Sequence, residues 1–138
     1  MLYIKHPNRF IILIFMPILW WLLIPLLISD ICIEIYHRIF FLFYKVPYIK
    51  RRNYIQIMDR ARLPYLNIVQ KIYCMYCGYA NGLVHYRVEI GGVTEHYWCG
   101  VQHRNRKGFV PEAHQKNFSK FWDKNDFVKK YCRKGAIK

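Results

Sequence analysis

Residues 10–28, FIILIFMPILWWLLIPLLI, are nineteen side chains without one charge. No other feature constrains the chain as strongly, because a run this long and apolar must be kept from water. At 1.5 Å per helical residue it reaches roughly 28 Å, close to the hydrocarbon thickness of a bilayer. A signal sequence has a shorter apolar core of about 7–15 residues and ends at small side chains. Here the run is followed by SDICIE, a poor cleavage site. The expectation is a retained membrane-anchoring helix. Pro17 and Pro25 lie inside it, and each removes a backbone donor, so a kinked span and a re-entrant segment both stay open. Trp20 and Trp21 sit mid-run, although tryptophan favours interfaces. Their position favours a shallow geometry, whereas the length favours a full span.

Residues 30–44 read DICIEIYHRIFFLFY. Asp30, Glu34 and His37 recur at i, i+4 and i+7, which places all three on one helical face. A helix continuing out of the membrane, or lying on its surface, fits this pattern. Glu34 and Arg38 are spaced for an i,i+4 pair. Lys45-Val46-Pro47 breaks the helix, and Lys50, Arg51 and Arg52 follow. That triplet suits anionic headgroups, at about 1 kcal/mol per cation near the surface. Lys5 and Arg9 precede the apolar run, but 18 of the 22 Lys and Arg lie at or after Lys50, against six of the eight acids. Positive-inside bias therefore puts the C-terminal part in the cytoplasm. The organisation expected is a membrane anchor with its juxtamembrane helix over residues 1–49, then a basic helical module with an amphipathic tail over residues 50–138.

Composition closes off other classes. A 54% apolar content is too high for a disordered chain. Five cysteines in 138 residues are an odd count at modest density, unlike a disulfide-stapled secreted miniprotein. There is no G-x-x-x-x-G-K-[ST], G-x-G-x-x-G or G-x-S-x-G, and the two serines, Ser29 and Ser119, have no evident His-acid partners.

Within the module, residues 53–58 alternate as a short strand or an extended lead-in. Arg62-Leu63-Pro64 resembles a helix entry, and Leu66, Val69, Tyr73 and Tyr76 keep helical spacing. Residues 78–82, GYANG, read as a break between helices or as a close-packing spot in a continuous one. A further helical stretch covers residues 83–90. Gly91-Gly92 is a second candidate bend, and Thr94-Glu95 a candidate helix start.

The strongest chemical pattern is Cys74-x2-Cys77 followed by Cys99-x3-His103. Three thiolates and an imidazole are a zinc-type ligand set. On one unbroken helix Cys74 and Cys99 would be about 37 Å apart, so a shared ion requires a hairpin at residues 81–82 or 91–92. Two other readings stay open. The cysteines can be small packing residues on one helical stripe, or Cys74 and Cys77 can be a redox dithiol. Cys32 and Cys132 read as unpaired thiols.

The strings YCMYCGYANG and TEHYWC, with Asp59-Arg60, residues 63–67 and Tyr36-His37-Arg38, resemble a family of small uncharacterised bacterial membrane proteins. The similarity covers residues 30–103. Where that family often carries Pro-Ile-Lys-His, this chain has Gly100-Val101-Gln102-His103, which keeps the histidine. The resemblance implies an inner-membrane protein and brings no reaction with it.

Glu34-x2-His37, joined by Asp30 and Glu95, supplies the donor types of a diiron carboxylate site, although only one E-x-x-H is present. The bland reading is a set of polar groups at the membrane surface. The tail over residues 111–138 places Phe118, Phe121, Trp122, Phe127 and Tyr131 near helical spacing, with Lys116, Lys120 and Lys124 four apart. That pattern fits an amphipathic helix on lipid, or a solvated charged face over a packed aromatic one, better than a nucleic-acid contact. The fold class expected is mainly α. The function expected is a membrane-anchored interaction or assembly protein, in complex with a membrane partner, with structural zinc on Cys74, Cys77, Cys99 and His103. The alternatives are a redox or iron enzyme and a membrane-tethered nucleic-acid binder.

Overall fold

The computed structural model describes residues 9–46 and 48–132, with side chains from Ile14 onward. Lys5 and Pro47, used above for orientation and for the helix break, lie outside the described residues, as do the last six residues of the tail. The architecture is helical. Helix α1 is Arg9–Tyr44, α2 is Ile68–Trp98 and α3 is Lys124–Tyr131, with single 3₁₀ turns at Arg51–Asn53, Arg60–Arg62 and Ala113–Asn117. No strand occurs among the described residues, which show one isolated parallel bridge, Val101 to Ser119.

Helix α1 runs 36 residues through both Pro17 and Pro25, about 54 Å at 1.5 Å per residue. Residues 30–44 are its continuation, and the turn that a dipping segment needs is not formed. Lys45 at φ 55° ends it, in the left-handed conformation common just past a helix C-terminus.

The entry to α2 departs from the expectation at residues 62–64. Leu63 is extended, with ψ 124°, because a residue before proline is disfavoured in the helical region. The helix starts instead at a reciprocal cap. Asn67 Oδ1 accepts from the Gln70 backbone N–H at 2.8 Å, and Gln70 Oε1 accepts from the Asn67 N–H at 3.0 Å. Two of the orphan donors of the first turn are thereby satisfied.

Neither glycine pair breaks α2. Gly82 faces the chain crossing from α1, and a Cβ there would meet Tyr54 O at 2.6 Å and Ile55 Cα at 2.8 Å. Gly78, one turn earlier, meets the Gln56 carbonyl in the same way. The GYANG string is thus the close-packing alternative: two glycines at i, i+4 admit an extended backbone against the helix. Thr94 lies inside the helix, its hydroxyl donating to Ile90 O at 2.8 Å. It therefore does not start a new one.

Two compact units are formed, residues 1–88 and 89–138. In the first unit, Phe40, Phe41 and His37 of α1 and Tyr79, Leu83 and Tyr86 of α2 are buried. Two contacts fix the direction of packing. Asp30 meets Tyr79 and His37 meets Tyr86, each 49 residues apart. A constant offset means that α1 and α2 run parallel, and the intervening chain must return along them.

The second unit is built on the end of α2, where Gly100 at φ +62° carries the chain away under the Tyr131 ring. Ile90, Gln115, Phe118 and Ser119 are buried there. The tail is not the long amphipathic helix expected. Among its described residues the one α-helix is the eight-residue α3, capped by Asp123 Oδ1, which accepts from the Asp126 N–H at 2.9 Å. Phe118 and Ser119 are instead anchored in the unit's interior: Ser119 N–H donates to Gly100 O, and Gln102 N–H to Ser119 O, both at 2.8 Å. Just before α3, Trp122 adopts φ 69°. It occupies the third position of a turn closed by Asp123 N–H to Lys120 O at 3.1 Å, where a positive φ usually calls for glycine or asparagine. Such a conformation stores on the order of 1–3 kcal/mol.

Candidate functional site

The face predicted for Asp30, Glu34 and His37 forms and points into the first unit. Three tyrosines and two arginines close over it. Tyr79 donates to Asp30 Oδ2 at 2.8 Å, and the Arg51 guanidinium pairs with the same oxygen. Tyr48 donates to Glu34 Oε1 at 2.6 Å, Arg38 Nε to that oxygen at 2.8 Å, and Tyr86 to Glu34 Oε2 at 2.9 Å. The i,i+4 pair of Glu34 and Arg38 is therefore present.

His37 has no solvent exposure. The Ile49 backbone N–H donates to its Nε2 at 3.3 Å. A backbone N–H can only donate, so Nε2 carries the lone pair and Nδ1 carries the proton. Nδ1 then donates to Tyr86 Oη at 2.7 Å, and Tyr86 passes its own proton toward Glu34. Direction is thus fixed along Ile49 N–H, His37, Tyr86 and Glu34. The imidazole stacks on Tyr48 at 4.3 Å and meets Phe41 edge-on at 4.2 Å. Burial, reinforced by hydrogen bonding to Asp30, pushes the Tyr79 phenol up to about 12. Burial and then the bonds to Tyr48 and Glu34 also raise Tyr86, so both tyrosines stay neutral donors.

These residues are occupied with each other. Among the described residues no group of three or more His, Cys, Asp or Glu side chains is placed to hold a metal ion. Of the iron set, Asp30, Glu34 and His37 belong to the first unit and Glu95 to the second. The zinc set does not assemble. Its condition was a hairpin between Cys77 and Cys99, and α2 is continuous across both glycine pairs. Cys32, Cys74, Cys77, Cys99 and Cys132 are all free thiols.

Glu95 and His103 do approach each other, with His103 Nε2 3.9 Å from the carboxylate. The closer partners of Glu95 are His114 Nε2 at 2.7 Å and the Gln115 amide at 3.0 Å. The His114 ring rests on Gly92, where a Cβ would come within 2.8 Å of it. That contact, and not a bend, accounts for this glycine. Of the cationic triplet, Arg51 is taken by Asp30, while Lys50 and Arg52 are exposed.

A shallow groove of about 410 Å³ lies on the other side of α2, lined by Asn53, Gln56, Asp59, Arg60, Asn81 and His85 with Gly78 and Gly82 at its base. Two of the strings that carry the resemblance, Asp59-Arg60 and GYANG, meet there. Sequence reasoning missed Tyr48, Tyr79 and Tyr86. A signal was present for two of them: Tyr79 and Tyr86 are seven apart on α2, as Asp30 and His37 are on α1. No family model, curated protein or solved structure matches the chain.

Proposed function

We propose that this is a small membrane-anchored interaction or assembly protein, inserted through α1 with its C-terminal part in the cytoplasm. One observation carries the reading. Helix α1 satisfies Asp30, Glu34 and His37 inside the first unit and leaves many of its apolar side chains bare. Ile14, Ile18, Trp21, Ile28, Leu42 and Phe43 are all more than half exposed, and the helix passes the length and hydropathy test for a membrane span over residues 14–44. Side chains of this kind suit lipid or another apolar helix and are costly in water. Beside the apolar half of α1, where Trp20 meets Tyr76, helix α2 exposes Ile68, Val69 and Ile72 and widens the same belt.

An assembly role is favoured because the carboxylates and the histidine of the polar face are hydrogen-bonded to tyrosines and arginines of the same unit, as in a structural network. A net charge of +14 suits anionic headgroups as the surface partner. The test is carbonate extraction of membranes from cells expressing the full chain, with reporter fusions at each end. Retention in the pellet with a cytoplasmic C-terminal reporter is expected. Release into the supernatant would overturn the anchor, and a translocated C-terminal reporter would overturn the orientation.

A further inference from the structure

We infer that the turn carrying Trp122 is a membrane-docking wedge, which seats the second unit on an anionic bilayer surface. This rests on the anchored reading above and deepens it. Trp122 is 87% exposed, so its ring is held clear of the unit that carries it. Its φ of 69° falls where glycine would fit without strain, and the turn's own folding therefore gains nothing from an indole at that position. Phe121, half-exposed beside it, packs edge-on to the same ring at 5.3 Å.

The surroundings supply the charge. Lys116, Lys120 and Lys124 are exposed and form no salt bridge among the described residues. The nearby acids are engaged: Asp123 caps α3, and Asp126 pairs with Lys130 at 2.9 Å. Lys130 also donates to Phe118 O at 3.2 Å, which ties the base of the turn to the buried core. Over residues 89–138 there are eleven Lys and Arg and five Asp and Glu, an excess of six positive charges. An exposed indole with exposed lysines on either side of it in the sequence matches the bilayer interface, where tryptophan sits at headgroup depth and cations meet anionic lipid. Because α1 already confines the chain to the membrane, even a weak contact is populated through high effective concentration.

The test uses the full chain with Trp20, Trp21 and Trp98 changed to phenylalanine, leaving Trp122 as the only indole. It is reconstituted into phosphatidylcholine vesicles with or without phosphatidylglycerol. Vesicle flotation reports the anchor, and Trp122 emission reports the docking. Expected results are flotation in both, with a blue-shifted emission quenched by brominated lipid only where phosphatidylglycerol is present, and reversal in high salt. Flotation with Trp122 still red-emitting and open to iodide would overturn the docking and leave the anchor standing. Failure to float would remove both. Quenching by a single-stranded oligonucleotide but not by vesicles would overturn it in favour of a nucleic-acid contact. A second variant, Trp122→Gly, should raise the melting temperature of the protein in detergent and abolish the lysine-dependent docking, measured as loss of protease protection of the tail. A purely structural Trp122 would give a lower melting temperature instead.

Discussion

Replacing Tyr86 with phenylalanine removes one oxygen and strands two partners. Glu34 Oε2 loses its donor and His37 Nδ1–H loses its acceptor, the latter in a site closed to water. Tyr86→Phe should therefore cost about 1–3 kcal/mol, read as a lower denaturation midpoint in detergent. Tyr48→Phe should cost less, because Glu34 Oε1 keeps Arg38 and the Tyr48 edge is wet. Tyr79 gives a pH signature. Its folded pKa, about 12, lies above the unfolded value of 10.0. The unfolded chain thus loses its proton first, and stability falls as pH rises from 10 toward 12. An alkaline melt series should show this loss, and Tyr79→Phe should lack that component. The carboxylates and the histidine were legible because period 3.6 alone groups them. Their tyrosine partners were not, because aromatic residues on α2 look like any packed face until the offset of 49 residues is known.

At the level of elements, Gly91 and Gly82 of α2 make opposite predictions. Gly91 faces open space, with nothing within 4 Å of an added Cβ, so Gly91→Ala should stabilise the helix by about 0.5–1 kcal/mol. Gly82→Ala places the same methyl 2.6 Å from Tyr54 O and 2.8 Å from Ile55 Cα. Backbone cannot yield as a side-chain tip can, and the net effect should be destabilising in spite of the better helix former. Paired thermal melts of the two variants check the contrast. For residues 78–82 the sequence admits both uses of glycine without deciding between them, since the choice depends on what crosses the helix; for Gly91-Gly92 it suggests only a bend. The start of α2 was misplaced for a similar reason. Pro64 looked like a first-turn proline, whereas the Asn67–Gln70 cap decides the start.

Across the whole molecule, the zinc expectation turned on one long-range fact, the path of the chain between Cys77 and Cys99. Spacing supplies a zinc-type donor set, whereas the hairpin that would bring those donors together is not formed in α2. Accordingly, Cys77→Ser with His103→Ala should leave the melting temperature unchanged, with or without a chelator present. A drop on chelation in the wild type alone would restore the metal reading. The helical class and the apolar helix were evident from the sequence at once, because composition and run length act without any partner.

Helix α1 has a further consequence. The segment that reads as lipid-facing and the segment that carries Asp30, Glu34 and His37 are one helix without an intervening loop. On the anchored reading proposed above, no joint would separate membrane from interior, and α1 would behave as a lever. A thinner bilayer is met by tilting such a helix, and a tilt here shifts the fulcrum at Tyr79 and Tyr86. The first unit would then register bilayer thickness mechanically, through the same hydrogen bonds that hold it together.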